Sequence, residues 1–412
     1  MKSTWQRVIA CCLVTLVLVS AVCVGCGEEG GKGKRVVTIG HITDLTGPAS
    51  SALIPLAYGL EDIVRYYNEN DLIPGVYVKV VTYDTRYDPS RDVPAYDWVR
   101  GRGAEIIMTP LANTAETLKS FVEKDRIPLI AMATTKVLTE DPGWVFCRDP
   151  NMSYFIQTLL KWISEEHWDY NNGIPKIGSA GWVEQAYIEI ETGMKEYCQA
   201  HPDKFKWVGG YRTPNGSMSW GGEVEKLKDC DYVYLPSAIG GVTFVNQFRD
   251  RGYGATFIST APLFAFIGLT LDGCGWEKMD GTLTAAGGGF LEPMAPFHEL
   301  ARELLYKYHP DQAKEIERAG IGYTGGYDPG RVNLDILRAA IEAVGVDNFD
   351  GQAFYDTAVN FSITYEGLPE LSYAKHQDPR WANDYVQIWE WKAQESKIVL
   401  LHDWMLCEGV GG

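Results

Sequence analysis

From Arg35 onward the chain alternates two hydrophobic periods. Short β-branched runs such as "RVVTIGHIT", "YVKVVTYDT" and "AEIIMTP" are each followed by stretches with apolar residues at helical spacing: "LAYGLEDIVRYYNEN", "PSRDVPAYDWVR" and "NTAETLKSFVEKD". "IPLIAMAT" supplies a fourth strand. The same grammar returns after residue 150. "FIQTLLKWISEEHW" predicts a helix, "PKIGSAG" a strand, "VEQAYIEIETGMKEYCQ" a helix, and "FKWVGGYRT" and "DYVYLPS" strands. "VTFVNQFRDRG" then reads as a helix and "ATFIST" as a strand. Apolar strands alternating with helices of ten or more residues predict parallel sheets covered on both faces, an α/β chain of two doubly wound lobes. Two more helices are expected at "FHELARELLYKYH" and "GRVNLDILRAAIEAVG". The end of the chain predicts a hairpin, "YVQIWEWK" and "KIVLLHDW" across "AQES". Gly59 falls inside the first helix, where glycine costs stability, so a close packing contact is expected there.

The N-terminus breaks this pattern. Lys2 and Arg7 precede a stretch from Val8 to Gly25 without a charge, the form of an export signal. The stretch "VGC" at 24–26 resembles the bacterial lipoprotein signal, in which a small residue precedes a cysteine that is lipidated. It departs from that pattern in carrying Cys23 where leucine is usual. The reading is a signal over 1–25, lipidation at Cys26 and a glycine-rich tether over 26–35. The protein is then exported and held at a membrane by lipid. An uncut anchor is the alternative, and it also puts the folded part outside the cytoplasmic membrane.

Length and charge narrow the picture. A chain of 412 residues exceeds one ordinary core, which supports two lobes. There are 37 basic and 54 acidic residues, for a net charge of −17. That surface repels nucleic acid, so no DNA or RNA partner is expected. Beyond the signal lie Cys147, Cys198, Cys230, Cys274 and Cys407. No CxxC or His/Cys cluster marks a metal, and free thiols are expected for most of the five. No G-x-S-x-G, HExxH, Walker loop or G-x-G-x-x-G after a strand is present, so no enzyme, cofactor or metal site is expected.

The order of these pieces resembles the type I periplasmic solute-binding proteins, in particular the branched-chain amino-acid (Leu/Ile/Val) binding family of ABC transporters. The resemblance rests on "IGHITDLTGPASSALIPLAYGLEDIVRYYNEN", "VKVVTYDTRYDPSR", "IIMTPLANTAETLKSFVEKDRIPLIAMATT", "CDYVYLPSAIGGVTFVNQFRDRGYGATFIST" and "YTGGYDPGRVNLDILRAAIEAVG", and it spans nearly all of 36–402. It implies two lobes joined by three hinge crossings, 36–147 plus 285–362 and 148–284 plus 363–412. A ligand is held between the lobes, and the partners are an ABC permease and its ATPase. A monomer is expected. A ligand-sensing lipoprotein that regulates a partner is the alternative.

Ligands of doubly wound sheets sit beyond the carboxyl ends of the strands. Two loops qualify in the first lobe, "PLANTAE" and "MATTK". The free amides of the helix opening near Asn113 favour an anion, and Thr134 and Thr135 add hydroxyls. The resemblance implies that these loops hold the ligand carboxylate through Ala112, Asn113, Thr114, Ala133 and Thr135. Ala112 stands where many relatives have serine. Asn113 or Thr114 serving only as a helix cap is the plainer reading. On the other lobe the branched-chain proteins place an acid after the strand matching "ATFIST". Here "STAPLFAFIGLTL" holds no charge before Asp272. A buried ammonium without a carboxylate is costly, so the expected ligand is an apolar or aromatic carboxylate, or a neutral solute, rather than a plain amino acid. Glu184 is the nearby acid that rescues an amine. Trp182, Tyr187, Phe264 and Phe266 are candidate aromatic walls. Ser50 and Ser51 complete the set, with a turn role as their alternative.

Overall fold

A computed structural model describes residues 33–236, 238–376 and 378–409. The expected signal, Cys26 and most of the tether lie outside these residues. The first lobe is built on a five-stranded sheet in the order β2-β1-β3-β4-β5, parallel throughout. Its strands are β1 (Arg35–Thr43), β2 (Val76–Asp84), β3 (Ala104–Thr109), β4 (Leu129–Ala131) and β5 (Val145–Cys147). Between them run α1 (Ser50–Glu69), α2 (Asp92–Arg100), α3 (Ala112–Asp125) and the single turn α4 (Lys136–Thr139). The interior residues of β3 are buried on both faces, which is why the strand reads as an apolar run rather than an alternation.

The second lobe carries seven strands in the order β14-β13-β10-β9-β8-β6-β7. It begins with α5 (Met152–Trp162), β6 (Lys176–Trp182), α6 (Gln185–Ala200) and β7 (Lys206–Thr213). It continues through α7 (Gly221–Leu227), β8 (Tyr232–Tyr234), α8 (Ala238–Arg249) and β9 (Thr256–Thr260). The one-turn α9 (Ala261–Phe264), α10 (Ile267–Met279) and β10 (Leu283–Ala286) complete its parallel part. β13 (Tyr385–Lys392) and β14 (Lys397–Leu406) close it as the expected antiparallel hairpin.

Between β10 and β13 the chain returns to the first lobe as α11 (Glu299–Tyr308), α12 (Ala313–Ala319), α13 (Gly322–Val344) and α14 (Gly351–Ala358). The short pair β11 (Ser362–Ile363) and β12 (Leu371–Ser372) follows. Leu337, Phe354, Leu371 and Tyr373 share a core with Val37 and Ile106 of the first sheet. The chain thus passes between the sheets over 148–151, 287–298 and 373–385. The first and third passages run side by side, with the amide of Asn383 donating to the carbonyl of Arg148 at 2.8 Å.

Gly59 has the close contact its position implies. A Cβ there would stand 2.0 Å from the carbonyl oxygen of Tyr323. Across the same junction a Cβ on Gly326 would stand 1.9 Å from the oxygen of Leu56. These glycines let α1 and α13 touch backbone to backbone. The five cysteines from Cys147 to Cys407 are all free among the described residues. No helix among those residues is long and apolar enough to cross a membrane.

Candidate functional site

The carboxyl ends of β2, β3, β4, β6 and β9 converge on a cavity of about 260 Å³ between the lobes. In the first lobe α1 turns an apolar stripe toward it, Ala49, Ala52, Leu53 and Leu56, at the i, i+3, i+4, i+7 spacing of one helix face. Leu111, Met132 and Ala133 continue that wall. From the second lobe come Met152, Phe155, Trp182, Ala265 and Phe266. Phe266 packs against Ala52, so an apolar contact joins the lobes at one edge of the cavity.

The α3 N-terminus opens into this apolar space. Leu111 holds the cap position and makes no side-chain cap bond, so the amides of Ala112, Asn113 and Thr114 begin the helix without one. Such amides, aligned with the helix dipole, favour an anion. Thr134 also lines the cavity, with its hydroxyl oxygen buried away from the open space.

Of the residues singled out in the sequence, Ala112, Asn113, Thr114, Ala133, Thr134, Trp182 and Phe266 line the cavity. Three of them already have bonds. Asn113 Oδ1 accepts the amide of Gln185, 3.2 Å away on the opposite lobe. Thr114 Oγ1 donates to Asp92 Oδ1 at 2.8 Å, so its hydroxyl is turned to the acid and not into the cavity. Trp182 Nε1 donates to the carbonyl of Ser217 at 3.0 Å, which fixes the ring in place.

Thr135, Tyr187, Ser50, Ser51 and Phe264 do not line it. Thr135 is fully buried at the cap of α4 and donates to Glu116 at 2.5 Å. Tyr187 lies behind the wall, where its hydroxyl donates to Ser179 Oγ at 2.9 Å. Ser50 begins α1 outside the apolar stripe. Phe264 points into the second lobe's core against Trp389 and Trp391. The single turn α9 explains the last case, because it sends Ala261, Pro262, Ala265 and Phe266 to the cavity while Leu263 and Phe264 face the sheet. No charged residue of this segment reaches the cavity, as the sequence indicates.

Sequence reasoning named Glu184, which lines the cavity, but missed Tyr87, Asp92 and Arg148 on the same walls. Tyr87, in the loop after β2, lines the cavity and its hydroxyl donates to Glu184 Oε2 at 2.6 Å. Burial raises the Glu184 carboxyl above its usual range, and this Tyr87 bond offsets only part of the rise. Asp92 is likewise raised by burial, despite its bond from Thr114. Arg148, in the first passage, bonds Asp328 at 3.1 Å and faces Asp149 at 3.7 Å. Tyr87 follows a strand's carboxyl end, so the rule that located Asn113 also points to it. Asp92 and Arg148 come from a helix start and a lobe crossing, where no such rule applies.

The periplasmic binding protein family model matches residues 36–394. No curated protein matches the chain in sequence. Among solved structures, a branched-chain amino-acid ABC transporter protein from Thermus thermophilus with bound valine is similar at 17% identity and a TM-score of 0.77, covering 91% of this chain and 97% of that one. A fatty acid ABC transporter substrate-binding protein from Thermomonospora curvata gives 13% identity and 0.79, covering 92% and 94%. A solute-binding protein from Rhodopseudomonas palustris BisB5 in complex with 3,4-dihydroxybenzoic acid gives 17% and 0.74, covering 91% and 99%. With two parallel-sheet lobes, three passages between them and a cavity where the strands end, the chain belongs to the periplasmic binding protein family and has the type I fold of ABC-transporter solute-binding proteins.

Proposed function

We propose that the cleft captures an apolar or aromatic carboxylate and presents it to an ABC importer. The observation that carries this reading is the pairing of an apolar cavity with the uncapped N-terminus of α3, whose amides at Ala112–Thr114 line it. A carboxylate placed there meets oriented N–H donors, and the rest of the molecule lies against Leu53, Met132, Phe155 and Phe266. The absence of an acid on the α9 segment supports the same choice, since an α-ammonium directed there would lack a counter-charge. The structurally similar protein in complex with 3,4-dihydroxybenzoic acid and the similar fatty acid ABC transporter substrate-binding protein add weight. We read the chain as exported by residues 1–25 and held at the membrane through Cys26. No catalytic step is assigned to it.

One observation favours a second reading, binding of an amino acid. Glu184 lines the cavity, and as a carboxylate it suits an ammonium group. The structure with bound valine has the same fold. Calorimetric titration separates the two. Benzoate, 3,4-dihydroxybenzoate and octanoate are expected to bind with micromolar or tighter constants and leucine not to bind. Tight leucine binding without a response to the acids would establish the second reading instead.

A further inference from the structure

The end of the cleft nearest the lobe crossings carries one donor and one acceptor side by side. Arg148 and Asp149 follow β5 directly and line the cavity. The Arg148 side chain is 28% exposed and that of Asp149 16%. Each is anchored by one end. Arg148 Nη2 donates to Asp328 Oδ2 at 3.1 Å, and Asp149 Oδ1 accepts Nδ2 of Asn383 at 2.8 Å. Asp328 and Asn383 line the space on the hinge side and not the cleft. The anchoring bonds therefore point away from the cleft, and the other ends, Arg148 Nη1 and Asp149 Oδ2, are turned toward it.

Nη1 and Oδ2 stand 3.7 Å apart, too far for a hydrogen bond between them. A hydroxyl oxygen about 2.8 Å from each spans the gap, accepting from Nη1 and donating to Oδ2. Other groups fit less well. A carboxylate meets Asp149 and Asp328 with a single guanidinium between them. An ammonium sits against that guanidinium and offers it no acceptor. An apolar end desolvates both charged groups and bonds neither.

The spacing agrees with a ligand held at both ends. β3, β4 and β5 are neighbours, with Thr109, Ala131 and Cys147 level across the sheet. The α3 amides lie just beyond β3, and Arg148 and Asp149 just beyond β5. Two strand spacings, about 9.5 Å, separate the two ends. A ring acid with a hydroxyl opposite its carboxylate, plus a hydrogen bond at each end, has a reach of the same order, roughly 10–12 Å.

We propose that the cleft selects hydroxylated carboxylates, with the carboxylate on the α3 amides and a hydroxyl at the opposite end bridging Arg148 Nη1 and Asp149 Oδ2. The inference rests on the carboxylate reading of the cleft and adds to it the pair of residues that sets specificity.

Calorimetry of the full mature protein with benzoate, 4-hydroxybenzoate, terephthalate and 4-(aminomethyl)benzoate tests this. The hydroxy acid is expected to bind at least tenfold more tightly than the other three, the scale of a hydrogen bond to a charged group. Asp149→Asn keeps an oxygen for Asn383 and removes the acceptor facing the cleft, so the preference over benzoate is expected to fall below threefold. A merely structural role for Asp149 would weaken both acids together and leave their ratio unmoved, and that result overturns the proposal. If Asp149→Asn folds poorly, a crystal structure with 4-hydroxybenzoate decides. The phenolic oxygen is expected about 3 Å from both Nη1 and Oδ2, and its placement elsewhere overturns the proposal. Benzoate binding without a tenfold preference for the hydroxy acid overturns the proposal and leaves the carboxylate reading standing. Failure of all four acids to bind overturns that reading, and the proposal with it.

Discussion

The hydroxyl of Tyr87 donates to Glu184 Oε2 at 2.6 Å, and the two residues belong to different lobes. Tyr87 sits in the loop between β2 and α2, while Glu184 stands at the N-cap position of α6 without a side-chain cap bond. Tyr87 and the preceding Arg86 both have positive φ, 58° and 56°, a conformation that costs non-glycine residues energy and is often kept at ligand clamps. The bond ties one lobe to the other across the cleft. Tyr87→Phe removes it and leaves the Glu184 carboxyl without its donor. A loss of about 1–1.5 kcal/mol in the closed form corresponds to roughly tenfold weaker ligand binding. Calorimetry measures the affinity, and small-angle scattering of the ligand-bound protein is expected to show a larger open fraction.

Glu184 also predicts a pH dependence. Burial raises its carboxyl in the folded protein, so the folded state keeps a proton that the unfolded chain releases. Stability then falls as pH rises from the ordinary carboxylate range through the raised value, and the full penalty is present above it. Glu184→Gln keeps an acceptor for Tyr87 and removes the titration. Its melting temperature is expected to exceed that of the wild type at pH 7, with the gain disappearing near pH 3, where both chains are neutral at this position. A gain of equal size at both pH values would contradict this assignment.

Phe266 makes the apolar counterpart of that contact, reaching from the second lobe to Ala52 of the first. It is 8% exposed and lies at the cavity edge. Phe266→Ala removes area from both the ligand and the closed interface, with about 1.5–3 kcal/mol at stake for a fully buried ring. The expected result is benzoate binding weakened by at least tenfold. Phe264→Ala is the contrast. Its ring packs on Trp389 and Trp391 in the core, so it is expected to lower the melting temperature by several degrees and to affect affinity less.

Ten of the fourteen strands were legible, each a short apolar run bounded by turn residues, as "AEIIMTP" shows; β5, β11 and β12, of two or three residues each, were not read from the sequence. β10 was not, since "LTAA" is four residues of small side chains leading into three glycines, and only its neighbours in the sheet make it a strand. The start of α13 was hidden for another reason. "GYTGGYDP" holds glycines and a proline that read as a turn, yet the helix begins at Gly322. Tertiary packing overrides propensity there.

The site was legible where strand ends define it. The loops after β3 and β4 bring Asn113 and Thr134 to the cavity, as the strand-end rule requires. The rule does not say which way a side chain turns. Tyr187 is two residues into α6 and faces the sheet, while Trp182, at the last position of β6, reaches the cavity. Arg148 lies in a lobe crossing, and its role depends on Asp328, 180 residues away, a pairing that no local pattern records.

The glycine junction between α1 and α13 yields the last prediction. In an exposed helix Gly→Ala gains about 1 kcal/mol. At Gly59 the added methyl would meet the Tyr323 carbonyl oxygen at 2.0 Å, and a backbone atom held in a long helix cannot move aside alone. The two helices must separate, which also loosens their packing at Gly326. Overpacking of this kind costs about 1–3 kcal/mol or more, so the penalty exceeds the propensity gain. Gly59→Ala is expected to lower the melting temperature, and Gly59→Ala with Gly326→Ala to cost less than the sum of the two, because one separation relieves both contacts. Thermal unfolding of the two single variants and the double variant measures this directly. Additive effects would mean that each glycine answers to a contact of its own.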